Sequence, residues 1–78
     1  MSTIILFSKP GCHLCDDARA SLEDAAADYG ITFDELDIRR DDALFERYRY
    51  RIPVIVVDGV ERLEGRIEAA EVRALFAS

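Results

Sequence analysis

Two cysteines, one histidine and two prolines are all that 78 residues hold of those types. Two cysteines are too few for a secreted disulfide scaffold, which carries four or more, and Cys12 and Cys15 stand so close that a bond between them would cross-link almost no chain. One histidine and two thiols cannot supply the four donors of a closed zinc site. The only early apolar run, Ile4-Ile5-Leu6-Phe7, has no basic leader before it and is too short for a signal or a membrane span, which predicts a cytoplasmic protein with no membrane partner. Positive charge is also in short supply. A net charge of −6 excludes non-specific nucleic-acid binding and adhesion to anionic lipid. Linkers, repeats and low-complexity stretches are missing too, so 1–78 reads as one domain with one core, burying a little over roughly 60% of its unfolded surface. Half of the residues are hydrophobic and a third charged, the balance of a soluble globular chain.

What is present is arranged around Cys12-His13-Leu14-Cys15. Residues 3–8 form a nearly continuous apolar run with β-branched members, as in a central strand buried on both faces. Lys9-Pro10-Gly11 breaks it, and a helix follows with Cys12 at its start. Leu14, Ala18, Leu22, Ala25, Ala26 and Tyr29 recur on one side of that helix, Asp16, Asp17, Arg19, Glu23, Asp24 and Asp28 on the other, and Gly30 stands where a left-handed stop belongs. Residues 31–38 read as an edge strand anchored by Phe33 and Leu36. Asp41-Asp42 caps a short helix whose apolar side is Leu44, Phe45 and Tyr48. Residues 54–57 and 60–63 flank Asp58-Gly59, a strong hairpin signal. Ala69, Val72 and Phe76, with Ala70 and Leu75 beside them, define a last helix. The order is β-α-β-α-β-β-α, a mixed sheet with helices on both sides. Arg39, Arg40, Arg47, Arg49 and Arg51 form a basic stretch, read as a solvated face, with Tyr50 as a residue for partner contact.

Three positions is nearly one helical turn, so both thiols lie on one face and can close a small disulfide ring or open it. At a helix start, unpaired N–H groups and the positive end of the macrodipole favour a thiolate, lowering a cysteine from ~8.5 into a range of roughly 3.5–7.5. Lys9 and a protonated His13 add to that effect, whereas Asp16 and Asp17 oppose it. Cys15, a turn deeper, is the more buried partner. Reversible redox chemistry is the leading reading, with inert thiols and a metal shared between two chains as the alternatives.

This order, together with Ser8-Lys9-Pro10-Gly11-Cys12-His13-Leu14-Cys15 and the later Ile52-Pro53-Val54, resembles the thioredoxin fold in its minimal glutaredoxin form, in particular the short bacterial glutaredoxin-like proteins, over essentially the whole chain. The resemblance implies an α/β fold with a four-stranded mixed sheet flanked by helices. It implies a thiol–disulfide oxidoreductase without a bound cofactor, acting on disulfide-containing proteins or low-molecular-weight thiols and fed by a reductase or by glutathione. Cys12 and Cys15 would be catalytic, and Lys9, His13, Ile52 and Pro53 would contact substrate. The Ile52-Pro53 bond would be cis and lie beside the cysteines, with Ile52 offering its N–H and C=O to an extended substrate. The chain departs from glutathione-dependent members after the last strand. Where they carry a Gly-Gly-x-Asp-like segment, Leu63-Glu64-Gly65-Arg66-Ile67-Glu68 keeps one glycine, which weighs against glutathione as a ligand. Two other functions fit the same residues: a non-catalytic interaction module, and a dimer bridged by an iron–sulfur cluster with glutathione.

Overall fold

In the computed structural model, which describes residues 3–77, the chain runs β1 (Ile4–Ser8), α1 (His13–Tyr29), β2 (Asp34–Asp37), a 3-10 turn (Ile38–Arg40), α2 (Asp42–Tyr48), β3 (Val54–Val57), β4 (Val60–Glu64) and α3 (Ala69–Ala77). Met1, Ser2 and Ser78 of the predicted 1–78 unit lie outside the described residues. One sheet holds the strands in the order β2-β1-β3-β4. β1 pairs parallel with β2 and antiparallel with β3, and β3 pairs antiparallel with β4. The element order and the mixed sheet are those the sequence predicts. Among the described residues, no helix is long and apolar enough to cross a membrane.

β3 is apolar throughout, and β1 is apolar up to Ser8, because each supplies two cores. Successive strand side chains point to opposite faces, so Ile4 and Leu6 meet Ile55 in a cluster with Ala18, Leu22 and Ala25 of α1 and Val72 of α3. Phe7, Val54 and Val56 pack on the other face with Ile38 and Tyr48, and Leu44 and Phe45 of α2 lean against them. Phe7 and Tyr48 stack with ring centroids 4.7 Å apart. Helices therefore cover both faces, and β1 lies inside the sheet as its composition requires.

α1 stops at Gly30, which adopts φ 66° and returns its N–H to the Ala26 carbonyl, a left-handed turn that suits glycine. Tyr29, placed by periodicity on the buried side, is 46% exposed: the helix ends there, and its ring packs edge-on with Phe76 at 5.7 Å between centroids. The hairpin between β3 and β4 turns on Asp58 (φ 52°) and Gly59 (φ 82°), both left-handed as its two-residue turn demands. Asp58 is tied down twice: its N–H donates to the Thr3 carbonyl and its Oδ1 accepts from the Thr3 N–H, each at 2.8 Å. The ladder then slips, since Ile55 faces Leu63 but Val56 faces Glu61, leaving Arg62 as the extra residue of a bulge.

The second strand is shorter than its composition indicates. Only Asp34–Asp37 pairs with β1, while Ile31 and Phe33 pack against the α1 and α3 cluster before the strand begins. Ile38 is fully buried in the 3-10 turn beyond it. Leu36 is no anchor. It stands opposite Phe7 at the open edge, outside the Phe7–Tyr48 cluster, and is 42% exposed.

Candidate functional site

The loop of residues 9–12 leaves the end of β1 and delivers Cys12 as the N-cap of α1. The Cys12 Sγ accepts from the Cys15 N–H at 3.2 Å, and the Cys12 carbonyl accepts from the Asp16 N–H at 3.1 Å. A sulfur at this position takes one of the backbone donors a helix start leaves unpaired, which favours its anion. Cys12 and Cys15 are joined as a disulfide with a Cα–Cα distance of 5.2 Å, inside the usual range. Their exposure differs: Cys12 is half-buried and Cys15 fully buried. A nucleophile from solution can therefore reach one sulfur and not the other.

Pro53 completes the surroundings from β3. Phe7 pairs with Val54, so one further step of the antiparallel register puts Ser8 opposite Pro53, at the point where the cysteine loop departs. The Ile52-Pro53 bond is cis, Pro53 is fully buried, and its carbonyl accepts from the Gly65 N–H at 2.9 Å. Ile52 is half-buried, but half of its predicted offer is already taken. Its N–H donates to the Tyr48 carbonyl at 3.1 Å, because the chain leaves α2 in a tight turn. Among the described residues nothing donates to the Ile52 carbonyl.

Lys9 is half-buried on an open cleft of about 620 Å³ that also takes in Ser8, Pro10, Arg19, Leu36 and Arg40. His13 is almost wholly exposed, with Nε2 3.7 Å from an Asp17 carboxylate oxygen. Of the two acids expected to oppose the thiolate, Asp17 thus faces the His13 imidazole and Asp16 faces a guanidinium. Asp16 receives Arg19 at 2.9 Å, and the remaining donors of Arg19 grip Glu35 at 2.6 and 2.7 Å. Glu35 also accepts from the buried Ser8 hydroxyl at 2.6 Å. The Arg19 guanidinium, and after it Ser8, hold Glu35 below the usual carboxylate range, while burial pulls the other way. Periodicity did not reveal this chain of contacts, because Glu35 meets Arg19 only once β2 pairs with β1.

The basic stretch is solvent-facing as the sequence predicts, with Arg39, Arg40, Arg47 and Arg49 exposed and Arg51 half-buried, but several of its charges are paired. Arg51 bonds Glu61 and Glu64, Arg47 bonds Glu61 at 2.9 Å, and Tyr48 donates its hydroxyl to Glu61 at 2.9 Å. Arg39 pairs with Asp37. Arg49 lies 4.8 Å from the ring centres of both Phe45 and Tyr50. The arginines on the approach to Pro53 tie it to β4, and Tyr50, 86% exposed, is open for contact. Arg51, then Tyr48 and Arg47, hold Glu61 at about 2, against 4.5 for an ordinary glutamate. A folded-state value below the unfolded one means stability that is complete above about pH 4.5 and is lost as the pH falls towards 2. Glu61→Gln should therefore flatten the acid limb of the thermal midpoint between pH 4.5 and 2, with Glu35, Asp37 and Glu64 supplying the slope that remains. Equal slopes for the variant and wild type would refute this account.

Comparison with known proteins agrees with this arrangement. A crystal structure of the protein XcR50 from X. campestris is 33% identical over 96% of this chain and 96% of that one, with a TM-score of 0.78. The solution structure of Ne2328 from Nitrosomonas europaea is 21% identical over 95% of this chain and 89% of its own (TM-score 0.77). A thioredoxin mutant from Halobacterium salinarum is 21% identical over 96% of this chain and 71% of its own (TM-score 0.73), and shares the fold. No curated protein sequence matches. The model of the family described as Glutaredoxin-like domain (DUF836) matches residues 3–77. With nearly every residue inside that match, and with a thioredoxin-like sheet presenting a Cys12–Cys15 disulfide at the mouth of α1, this chain belongs to the glutaredoxin-like domain family.

Proposed function

We propose that the chain is a thiol–disulfide oxidoreductase that reduces disulfides of proteins or small thiols by dithiol exchange in the cytoplasm. The observation that carries this reading is the joined pair with one sulfur reachable and the other sealed. In the reduced protein the Cys12 thiolate attacks a substrate disulfide, forming a Cys12–substrate bond and releasing one substrate thiolate. Cys15 loses its proton and attacks the Cys12 sulfur, closing the pair and releasing the second thiolate. Two electrons have passed to the substrate, and a thiol donor, either a reductase dithiol or glutathione, restores them. The Ile52 carbonyl aligns the substrate backbone, and Lys9 and His13 stand at the rim. No bound cofactor enters the cycle.

Hydroxyethyl disulfide or insulin, supplied with a reducing system, tests the reading. Many turnovers per protein are expected; stoichiometric binding without turnover would favour an interaction module. Cys15→Ser should accumulate an adduct heavier by one substrate half when a dithiol donor is limiting. Failure to form it would overturn the division of labour between the sulfurs.

A further inference from the structure

The contacts around Arg19 run from one end of the cysteine loop to the other. Ser8 is the last residue of β1 and Asp16 the first after Cys15, and between them stand Glu35 and Arg19 in an unbroken series of bonds of 2.6–2.9 Å. All three guanidinium nitrogens are engaged. Two hold Glu35 in the bidentate manner that fixes the plane of the group, which sets the third on the Asp16 carboxylate. The Asp16 backbone N–H donates to the Cys12 carbonyl, so this carboxylate belongs to the same helical turn as both sulfurs. An uncompensated negative charge there would oppose an anion on Cys12.

We infer that Arg19 is a positioning residue: anchored on Glu35 of β2, it cancels the Asp16 charge and so keeps the reduced Cys12 sulfur ionised at neutral pH. This rests on the redox reading above, and it assigns control of that chemistry to a residue one turn beyond the cysteines. Other charged or titratable groups on the neighbouring elements are Lys9 on the loop, His13 and Asp17 on α1 (3.7 Å from each other), Arg51 on the approach to β3 with its partner Glu64 at the end of β4, and Arg66 and Glu68 before α3, on a cleft shared with Leu14 and Asp17. Asp16 and Glu35 are the carboxylates that Arg19 holds.

The test is a titration of the reduced protein, following thiolate absorbance at 240 nm and the rate of iodoacetamide alkylation against pH. Arg19→Gln leaves both carboxylates uncompensated and should raise the Cys12 pKa by about half a unit, lowering the thiolate fraction below the pKa roughly threefold. Asp16→Asn removes the negative charge on the cysteines' own helical turn, leaves Arg19 balanced by Glu35, and should lower the pKa by a similar amount. The double variant should return close to wild type, and Arg19→Lys, which keeps the charge, should stay nearer to wild type than Arg19→Gln. A merely structural role would move the two single variants in the same direction or move neither, and either result overturns the inference. If Arg19→Gln does not fold, Asp16→Asn decides: an unchanged or raised pKa refutes the proposal. Wild-type protein that titrates normally but turns over no disulfide would sink the redox reading instead, so the two failures can be told apart.

Discussion

Cys12→Ser is expected to bring disulfide turnover to background, at least roughly a thousandfold below wild type, with folding unchanged. The size of the loss follows from what the position supplies. A hydroxyl at a helix start stays protonated at neutral pH, whereas a thiol there is drawn towards its anion, and exchange runs only through the anion. Cys15 cannot substitute, since it is fully buried and no solution disulfide reaches it. The fold should tolerate the change because serine is itself a preferred N-cap and would accept the Cys15 N–H that the sulfur now accepts. Cys15→Ser behaves differently according to the donor. With an excess monothiol such as glutathione, an external thiolate can release the mixed disulfide and turnover should persist. With a dithiol reductase that reaches only the closed pair, it should stall after one half-reaction. Parallel progress curves for both variants check this, and sustained turnover by Cys12→Ser would remove the basis of the mechanism.

Most of the scaffold could be read from the chain because its signals are local. The continuous apolar composition of residues 54–57, the Asp58-Gly59 turn and the steps Ala18, Leu22 and Ala25 each depend on neighbours a few positions away. The position of Cys12 was legible for the same reason, since a helix start needs only the Pro-Gly break and the periodicity after it. The shortened β2 was not, because Ile31 and Phe33 have strand-like chemistry whether or not a partner strand extends to meet them. Nor was the commitment of the Ile52 N–H to Tyr48, which depends on how tightly α2 turns into β3. The basic stretch gave the least away: its partners Glu61 and Glu64 sit on a strand ten or more residues later, so Arg47 and Arg51 join a surface ion network only with the register of β4.

Leu22→Ala is expected to produce the largest loss of stability among single truncations on α1. Leu22 is fully buried between the helix and the sheet, in the cluster with Leu6, Ile55 and Val72. Its neighbours on the helix, Ala18 and Ala25, are already small, so no adjacent α1 side chain can swing into the space, and the cavity should persist. Leucine truncations of this kind cost about 2–5 kcal/mol. A domain of this size has about 4–12 kcal/mol in total, and each kcal/mol lost lowers the midpoint by about 4–8 °C. A loss near 3 kcal/mol would therefore lower the thermal midpoint by about 12–24 °C. Tyr50→Ala, at a residue 86% exposed, should stay within about 0.5 kcal/mol of wild type and serves as the control. Below its own midpoint the Leu22→Ala protein should alkylate at Cys12 at nearly the wild-type rate, because the N-cap, the Cys15 N–H and the Arg19–Asp16 contact all lie in the first two turns of the helix. A truncation costing less than about 1 kcal/mol would mean that α1 is not held by this cluster. A stability loss accompanied by a matching loss of thiol reactivity would mean that the mouth of the helix is positioned from its buried middle and not by the contacts at its start.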